Sequence, residues 1–417
     1  MSAVEETPVL QTPQRPAIRR EHGLHPLVVV ETHPIQYHAP VYRELESRLG
    51  IPVTAIYGSD FSVAGYLDKE FGASFRWDTD LLTGYGSCFL STVAQGGARG
   101  FDMVSARGLR TALRQTAPSA VLLTGHSPAF HRTAFFEARR LHCPLILRAD
   151  SIDRGRERSA FRKLVRDTSL RLMYRSCSRL LCIGKLAYNH FRRLGVAEEK
   201  LGFAPRSVDT AAFDLTGEGR ARLRTATRAR LGVRDADYVV LFSGKLSARK
   251  APDLLLRAVR SLPAEIRSRT VVAYLGSGEL RAPLAELADS YPTVATRFIG
   301  FQNQTQLSPY YHAADLLVLP SLHSETWGLV VNDALHHGVP CVVSDAVGCA
   351  PDLVEPGVTG EIAATGSVES LAAAIERALA LAGRPETRER CRQKVSGYTV
   401  EKTAEGIAQA YWSVVKQ

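Results

Sequence analysis

Short apolar runs alternate with helix-like segments through the first half of the chain. The runs are Leu27–Thr32, Val53–Gly58, Ala120–Gly125, Pro144–Asp150 and Arg179–Gly184. Continuous apolar strands are typical of a parallel sheet that is covered by helices on both faces. Residues 25–204 are therefore predicted to form one Rossmann-like α/β domain.

The alternation stops at segment 205–235, which begins with a proline-bearing turn and continues as an arginine-rich helix without a strong apolar stripe. It then resumes at Tyr238–Gly244, Val271–Gly278, Thr296–Phe301, Asp315–Ser321 and Pro340–Asp345. We therefore predict an interdomain connection at 205–235 and a second α/β domain at 236–398. The last segment, 399–417, is predicted to be a helix that starts at the N-cap Thr399. The apolar face of that helix carries Ile407, Ala410, Tyr411 and Val414.

Length and composition narrow the class of protein. A chain of 417 residues is expected to form two domains of about 200 residues each. No apolar run reaches the ~18 residues of a membrane span, and residues 1–24 are polar without the apolar core of a signal peptide. We expect a disordered N-terminal extension and a cytoplasmic protein. The seven cysteines form no C-x-x-C pair, so neither a disulfide framework nor a zinc site is predicted.

The net charge of +10 leaves two interpretations open. A basic surface attracts nucleic acid, anionic lipid or phosphorylated substrates, but it also simply solvates a protein. No nucleic-acid-binding motif accompanies the charge, so nucleic acid is not predicted as a partner.

The segment after Asp315–Ser321 carries the most informative pattern. A strand ends near Pro320, a loop delivers Glu325, and a helix is predicted from near Trp327 to His337, with Gly338 as its C-cap. The free N–H groups and positive dipole end of such a helix favour an anion. Considered alone, the segment is equally compatible with an ordinary strand–loop–helix connection.

Glu325 and Asp333 resemble the E-x7-E signature of family 4 retaining glycosyltransferases, which have the GT-B fold. The resemblance implies that Glu325 contacts the sugar of a nucleotide-sugar donor and that Asp333 contacts its ribose. Aspartate replaces the usual second glutamate and is one methylene shorter, which puts donor affinity in doubt. The helix start, residues Thr326, Trp327, Gly328 and Leu329, would meet the donor diphosphate.

A second stretch, FSGKLSARK, is similar to the family's diphosphate-gripping loop. The resemblance implies that Gly244 opens this loop and that Lys245 and Lys250 hold the diphosphate. Cations in a dry cleft would stabilise the charge that develops as the anomeric bond breaks. Phe301 and Gln302 correspond to the family's nucleobase-side loop. The LGSGEL turn also resembles a family motif, but a simple strand-to-helix turn explains it as well, and we assign it no role.

The acceptor side is less specific. ETHPIQYHAPVYRELE and WDTDLLTGY resemble N-terminal segments of a subset of these enzymes, with Gln36, Tyr37 and His38 facing the cleft. Asp150 ends a strand where many relatives have a histidine near the reacting carbon. A helix N-cap or a salt bridge to an adjacent arginine are the alternatives for Asp150. His126 and Arg148, at the ends of their strands, are further acceptor-side candidates.

A basic stretch from Arg154 to Arg179 has arginines at helical spacing with apolar residues between them. The arginines are Arg158, Arg162, Arg166, Arg171 and Arg175, and the apolar residues are Phe161, Leu164, Val165, Leu172 and Met173. Such a helix is typical of contact with an anionic membrane, of a solvated surface, or of a site for an anionic acceptor.

The resemblance implies a GT-B fold in which the final helix crosses back to the first domain. It also implies transfer of a hexose-type sugar from a UDP- or GDP-linked donor to an acceptor hydroxyl, with retention and without a metal. No cofactor beyond the donor is predicted, and no covalent nucleophile is identified. A GT-B sugar-nucleotide epimerase, a phosphorylase and a non-catalytic sugar-nucleotide-binding protein are the alternatives. The acceptor and the oligomeric state stay open.

Overall fold

The computed structural model describes residues 25–68, 73–127, 129–153, 159–213 and 215–415. The predicted N-terminal extension, and Arg154 and Arg158 of the basic stretch, lie outside the described residues. None of the helices in the described ranges is long and apolar enough to cross a membrane.

The first domain is built on a seven-stranded parallel sheet in the order β5-β2-β1-β6-β7-β8-β9. Its strands are β1 (Leu27–Glu31), β2 (Val53–Tyr57), β5 (Gly86–Phe89), β6 (Ala120–Leu123), β7 (Leu145–Arg148), β8 (Arg179–Cys182) and β9 (Leu201–Phe203). A separate antiparallel pair is formed by β3 (Tyr66–Asp68) and β4 (Ala73–Phe75). The helices are α1 (Ala39–Ser47), α2 (Phe61–Ala64), α3 (Leu109–Thr116), α4 (Ala129–Arg140), α5 (Ala160–Arg175) and α6 (Lys185–Arg193).

The second domain has a six-stranded parallel sheet in the order β12-β11-β10-β13-β14-β15. Its strands are β10 (Tyr238–Ser243), β11 (Thr270–Leu275), β12 (Ala295–Gly300), β13 (Leu316–Leu319), β14 (Cys341–Ser344) and β15 (Gly360–Ala363). The helices are α7 (Gly217–Leu231), α8 (Pro252–Arg260), α9 (Ala264–Arg267), α10 (Arg281–Asp289), α11 (Ser308–Ala313), α12 (Leu329–His336), α13 (Ala350–Leu353), α14 (Val368–Leu379) and α15 (Pro385–Val395). The C-terminal helix is α16 (Val400–Val415).

These elements confirm the prediction of two Rossmann-like domains. All ten apolar runs contain strands, and all the residues of β1 are buried because helices cover both faces of the sheet. Five short strands, β3, β4, β5, β9 and β15, were not predicted, because their three or four residues do not form a continuous apolar run.

Helix α16 crosses back to the first domain, as predicted. Ala404, Ile407 and Tyr411 join the apolar cluster that includes Leu27 and Val29 of β1. The helix approaches so closely that a Cβ on Gly406 would lie 1.9 Å from the Phe203 carbonyl oxygen. The last helix of the chain therefore packs against the sheet of the first domain.

Helix α7, which lies within the predicted connection, packs against α11 of the second domain. Arg228 is only 2% exposed and donates hydrogen bonds to the Ala313 carbonyl at 3.1 Å and to Asp315 at 3.0 Å. The buried ion pair of Arg228 with Asp315 thus holds this helix in place of the apolar stripe that its sequence lacks.

Candidate active site

The carboxyl ends of neighbouring strands β10 and β13 bring two loops together. The loop after β10 carries Lys250, and the loop after β13 carries Glu325; each residue is 9% exposed. The Lys250 ammonium group donates to Glu325 Oε2, Ser321 Oγ donates to the same oxygen at 3.2 Å, and Arg249 Nη1 lies 3.4 Å from it. Sequence reasoning had missed Arg249, although it directly precedes Lys250. The result is one carboxylate held by two cations and a hydroxyl group.

The backbone beside this ion pair is strained. Ala251, next to Lys250, has φ of 48°, and Ser324, next to Glu325, has φ of 58°. A side chain in this left-handed region costs about 1–2 kcal/mol. Only four residues other than glycine have positive φ in the described ranges, and two of them flank this pair. Strain of this kind concentrates at functional sites, where the surrounding structure holds it in place.

The LGSGEL turn packs against the backbone of the loop that carries Lys245. A Cβ on Gly276 would lie 1.9 Å from the Gly244 carbonyl oxygen, and one on Gly278 would lie 2.5 Å from the Leu246 carbonyl oxygen. Leu246 N–H also donates to the Ser277 carbonyl at 2.9 Å. Close backbone approach is the physical reason for glycine at both positions. The half-buried Lys245 follows Gly244 on this supported loop.

Helix α12 begins at Leu329, two residues later than predicted, after Gly328 in a left-handed conformation. The Trp327 side chain is 4% exposed and lies against Gly184 of the first domain, where a Cβ would be 2.4 Å from its ring. Its indole N–H donates to Asn332 Oδ1 at 2.8 Å, and Asn332 donates in turn to the Arg206 carbonyl at 3.1 Å. Trp327 thus joins the two domains through its side chain, while half-buried Thr326 precedes it in the loop.

Asp333, on the inner face of α12, is 1% exposed. Tyr311 donates to its Oδ2 at 3.5 Å, whereas Oδ1 has no hydrogen-bond partner among the described residues. Burial raises the pKa of Asp333 to about 7. Burial, followed by the nearby Asp333, also raises the pKa of Tyr37, whose hydroxyl is hydrogen-bonded by Gln36. The loop of the first domain therefore reaches the second E-x7-E position, and ribose contact by Asp333 stays a prediction.

A buried polar network lies at the carboxyl ends of β1 and β7 in the first domain. His38 Nδ1 is 2.5 Å from Glu31 Oε1, and His38 Nε2 is 2.5 Å from Arg206 Nη1. Because a guanidinium only donates, we assign Nε2 as the acceptor and Nδ1–H as the donor to Glu31. Burial lowers the pKa of His38, which agrees with a neutral ring.

Arg206 also forms a two-pronged ion pair with Asp150, at 2.9 and 2.5 Å. Asp150 thus takes the salt-bridge alternative, but its partner is the arginine of the connection and not an adjacent one. Arg148 donates to the carbonyls of Ala204 and Pro205, at 3.0 and 2.5 Å. Sequence reasoning did not single out Arg206 or Glu31; their only signal was a charge inside the PRSVDTAAF segment and at the end of an apolar run.

The ring contact of His126 is with a residue outside this network. Its ring meets Tyr174 edge-on, with centroids 6.3 Å apart, and its Nδ1 has no partner among the described residues. Burial lowers the pKa of His126 to about 4.

The two domains meet on both sides of the site. Asn303, next to Phe301 and Gln302, donates to the Arg76 carbonyl at 2.8 Å, and Thr305 Oγ1 donates to Asp78. On the other side, Lys185 N–H donates to Asp352 Oδ1 at 3.0 Å, and Tyr398 donates to the same oxygen at 3.0 Å. The predicted nucleobase-side loop therefore lies beside WDTDLLTGY of the first domain.

Residues 224–396 match the family described as "Glycosyl transferases group 1". This part of the chain is a group 1 glycosyltransferase domain. It contains Lys245, Lys250, Glu325 and Asp333, so the site described above falls within the matched residues.

Similar sequences and structures extend this result. A Mycobacterium marinum protein named D-inositol 3-phosphate glycosyltransferase is 39% identical over 180 residues, 40% of this chain and 37% of its own. The Mycobacterium tuberculosis protein of the same name is 36% identical over 217 residues, 49% of this chain and 44% of its own. The chain thus spans about two fifths of the length of these relatives.

Solved structures share the fold of the glycosyltransferase domain and of the domain before it. A glycosyltransferase from Rickettsia africae has a TM-score of 0.69 at 12% identity, covering 95% of this chain and 100% of its own. HepE from Anabaena, solved with UDP and glucose, has a TM-score of 0.65 at 15% identity, covering 93% and 100%. The expected GT-B fold is confirmed.

Proposed function

We propose that this chain is a retaining glycosyltransferase that moves a hexose-type sugar from a UDP- or GDP-linked donor to an acceptor hydroxyl. The observation that carries the proposal is the Lys250–Glu325 ion pair, with Arg249 beside it, directly before the N-terminus of α12. It lies at the carboxyl ends of parallel strands, where ligands of such sheets bind. HepE, a structural neighbour, was solved with UDP and glucose, which supports a nucleotide-sugar donor.

In this proposal Lys245, Lys250 and the first turn of α12 bind the donor diphosphate. When the donor enters, Lys250 exchanges part of its contact with Glu325 for phosphate oxygens. Glu325 then accepts a hydrogen bond from a hydroxyl of the donor sugar and orients the anomeric carbon of that sugar. As the anomeric bond breaks, the negative charge that moves onto the diphosphate meets the fixed cations, which is the main source of rate enhancement.

We propose a front-face mechanism without a metal. The leaving phosphate removes the proton from the acceptor hydroxyl on the face where the new bond forms, so configuration is retained. His38 is a positioning residue in this scheme, because both of its ring nitrogens are engaged by Glu31 and Arg206. Asp150 is held by Arg206 in the same way and keeps a fixed negative charge beside the cleft.

The test combines donor binding with transfer. Wild-type protein is screened by thermal shift against UDP, GDP and their hexose conjugates, since a ligand that binds the native state raises its stability. Lys250→Ala and Glu325→Ala should each abolish transfer, and Lys250→Ala should also remove the shift given by the nucleoside diphosphate. Lys402→Ala, on the exposed side of α16, is the matched control and should keep both activities.

Removing one member of a buried ion pair costs about 3–5 kcal/mol, so each single variant needs a check of folding. The double variant Lys250→Met, Glu325→Gln removes both charges and should fold better than either single variant while still lacking transfer. Near-normal transfer by the folded double variant would refute the proposal. Product analysis separates the alternatives: an epimerase changes the donor without an acceptor, a phosphorylase consumes phosphate, and a binding protein turns over no labelled donor.

We also propose that helix α5 contacts an anionic membrane. Phe161, Leu164, Val165 and Leu172 are 50–74% exposed and share one face of the helix. Arg162 and Lys163 are exposed beside them, which suits anionic headgroups.

Co-sedimentation with phosphatidylglycerol vesicles should exceed that with phosphatidylcholine vesicles, and Phe161→Ser with Leu164→Ser should reduce it. Met103→Ser, at another exposed apolar position, is the control. Equal binding of the α5 variant and wild type would exclude this surface.

A further inference from the structure

Two helices of the donor domain present arginines at intervals of four residues. Residues four apart on a helix lie on the same face, so each set forms one ladder. The ladder of α7 contains Arg220, Arg224 and Arg228, and that of α15 contains Arg388 and Arg392, with Arg384 as the N-cap residue. Arg392 reaches the Leu215 carbonyl at 3.4 Å, just before α7, so the two ladders lie together.

The C-terminal part of the α7 ladder, Arg224 and Arg228, is neutralised by a carboxylate of the protein. Arg224 donates to Asp315 Oδ1 at 2.6 Å, and Arg228 donates to Asp315 Oδ2 at 3.0 Å. Asp315 Oδ2 also accepts the Val239 N–H at 2.8 Å. One carboxylate therefore already serves two guanidinium groups.

The remaining arginines are not paired with a carboxylate in the described part of the chain. The side chains of Arg220, Arg384 and Arg388 form no hydrogen bond or ion pair among the described residues. Burial, followed by Arg388, Arg224 and Arg392, lowers the pKa of Arg220 to about 10. Glu386 and Glu389 are on α15, but they are exposed and form no ion pair within the described part of the chain.

These groups line a small pocket that is partly open to solvent. Its lining includes Arg220, Arg384, Arg388, Asp315 and the hydroxyl-bearing Thr387. Asp315 and Pro340 directly precede β13 and β14, so the pocket lies at the amino ends of these strands. The Lys250–Glu325 pair follows β10 and β13. It therefore lies at the carboxyl ends of the strands, at the opposite end of the sheet.

We propose that this pocket binds a small phosphate- or sulfate-bearing anion, at a site separate from the donor site. Guanidinium groups match the oxygens of a tetrahedral anion through paired N–H donors, and the match is strongest where water is partly excluded. The pocket supplies three guanidinium groups and one hydroxyl, and the carboxylate within it is already paired. A bound dianion would relieve the repulsion among the arginines, which a solvated surface of the same charge would not need. The inference holds whether or not the chain transfers a sugar.

The experiment titrates the full chain with inorganic phosphate and with sulfate by calorimetry, at constant ionic strength maintained with chloride. We expect saturable binding that Arg220→Gln with Arg388→Gln weakens at least tenfold. Arg390→Gln, on the exposed face of the same helix, is the matched control and should bind as wild type does. A hexose phosphate and a nucleoside diphosphate as further probes distinguish a sugar-phosphate ligand from free phosphate.

The donor site is a second place where phosphate could bind, so Lys250→Ala is titrated in parallel and should keep its phosphate affinity. A crystal soaked in selenate should show the anion between Arg220 and Arg388. In phosphate-free buffer the Arg220→Gln, Arg388→Gln variant should be as stable as wild type or more so, because the substitutions remove like-charge repulsion. Absence of binding by wild type, equal binding by the double variant, or loss of binding in Lys250→Ala that is shown to be folded would each overturn the proposal.

Discussion

Asp333 provides a quantitative test of the buried face of α12. The substitution is Asp333→Asn, which keeps the shape of the side chain and matches the uncharged form of the carboxyl group. The carboxyl group is 1% exposed, with one oxygen that has no partner among the described residues. Ionising it in this position forfeits hydration without a compensating cation.

The size and sign of the effect follow from the pKa. Burial raises the pKa of Asp333 from 3.8 to about 7, and each step of one in pKa corresponds to about 1.4 kcal/mol. Between these two pH values the native state binds the proton more tightly than the unfolded chain does. Wild-type stability therefore falls as the pH rises through this window, by about 4 kcal/mol in total, and this contribution is constant above it. The asparagine variant lacks the effect.

Thermal unfolding of wild type and Asp333→Asn is compared at pH 4.5 and pH 8.5. The difference in stability between the two proteins should be under about 1 kcal/mol at the lower pH and about 4 kcal/mol in favour of the variant at the higher pH. For a domain of this size that corresponds to roughly 8–16 °C in Tm. Asp289→Asn, at an exposed position, should show no pH-dependent difference. A constant difference between wild type and Asp333→Asn across this range would mean that the carboxyl group is already ionised and solvated.

Three further substitutions test packing. Gly276→Ala should destabilise by more than about 3 kcal/mol, because its Cβ would lie 1.9 Å from the Gly244 carbonyl oxygen; Gly397→Ala, with no atom within 4 Å, is its control in chemical unfolding. Asn332→Ala should cost about 2–4 kcal/mol, because a buried indole N–H and a backbone carbonyl both lose their partner; unchanged stability would show that water replaces the amide. Ile407→Ala, at a position 1% exposed, should cost about 2–5 kcal/mol and loosen α16, which protease sensitivity of the C-terminus would report.

The sequence predicted the second-domain part of the site more fully than the first-domain part. Lys250 and Glu325 were predicted as partners in one site, and the structure places them in contact. Both lie just beyond apolar strands, where ligands of parallel sheets bind, but the resemblance to a known family was needed to single them out as partners. Their roles in sugar transfer stay predictions that the variants above test.

The first domain shows where such reasoning ends. His38 and Asp150 were candidates for direct contact with substrate, yet each is held by Arg206, 168 and 56 residues away along the chain. No local pattern indicates which distant charge a buried group meets, because that choice depends on how two sheets and a connection pack. Trp327 illustrates the same limit, since its side chain packs against Gly184 of the other domain.

Ten of the strands, the division into two α/β units and the helix at the end of the chain were predicted from the sequence itself, whereas the return of that helix to the first domain was implied by the family resemblance. Apolar periodicity is local, so it survives in a linear chain and can be read there. The tertiary structure alone decided which charges neutralise one another. Asp315 forms ion pairs with two arginines of α7 but, among the described residues, none with Arg220, and Arg206 links His38 with Asp150. Burial makes these pairings matter, because a charge removed from water needs a partner that only the folded chain can bring to it.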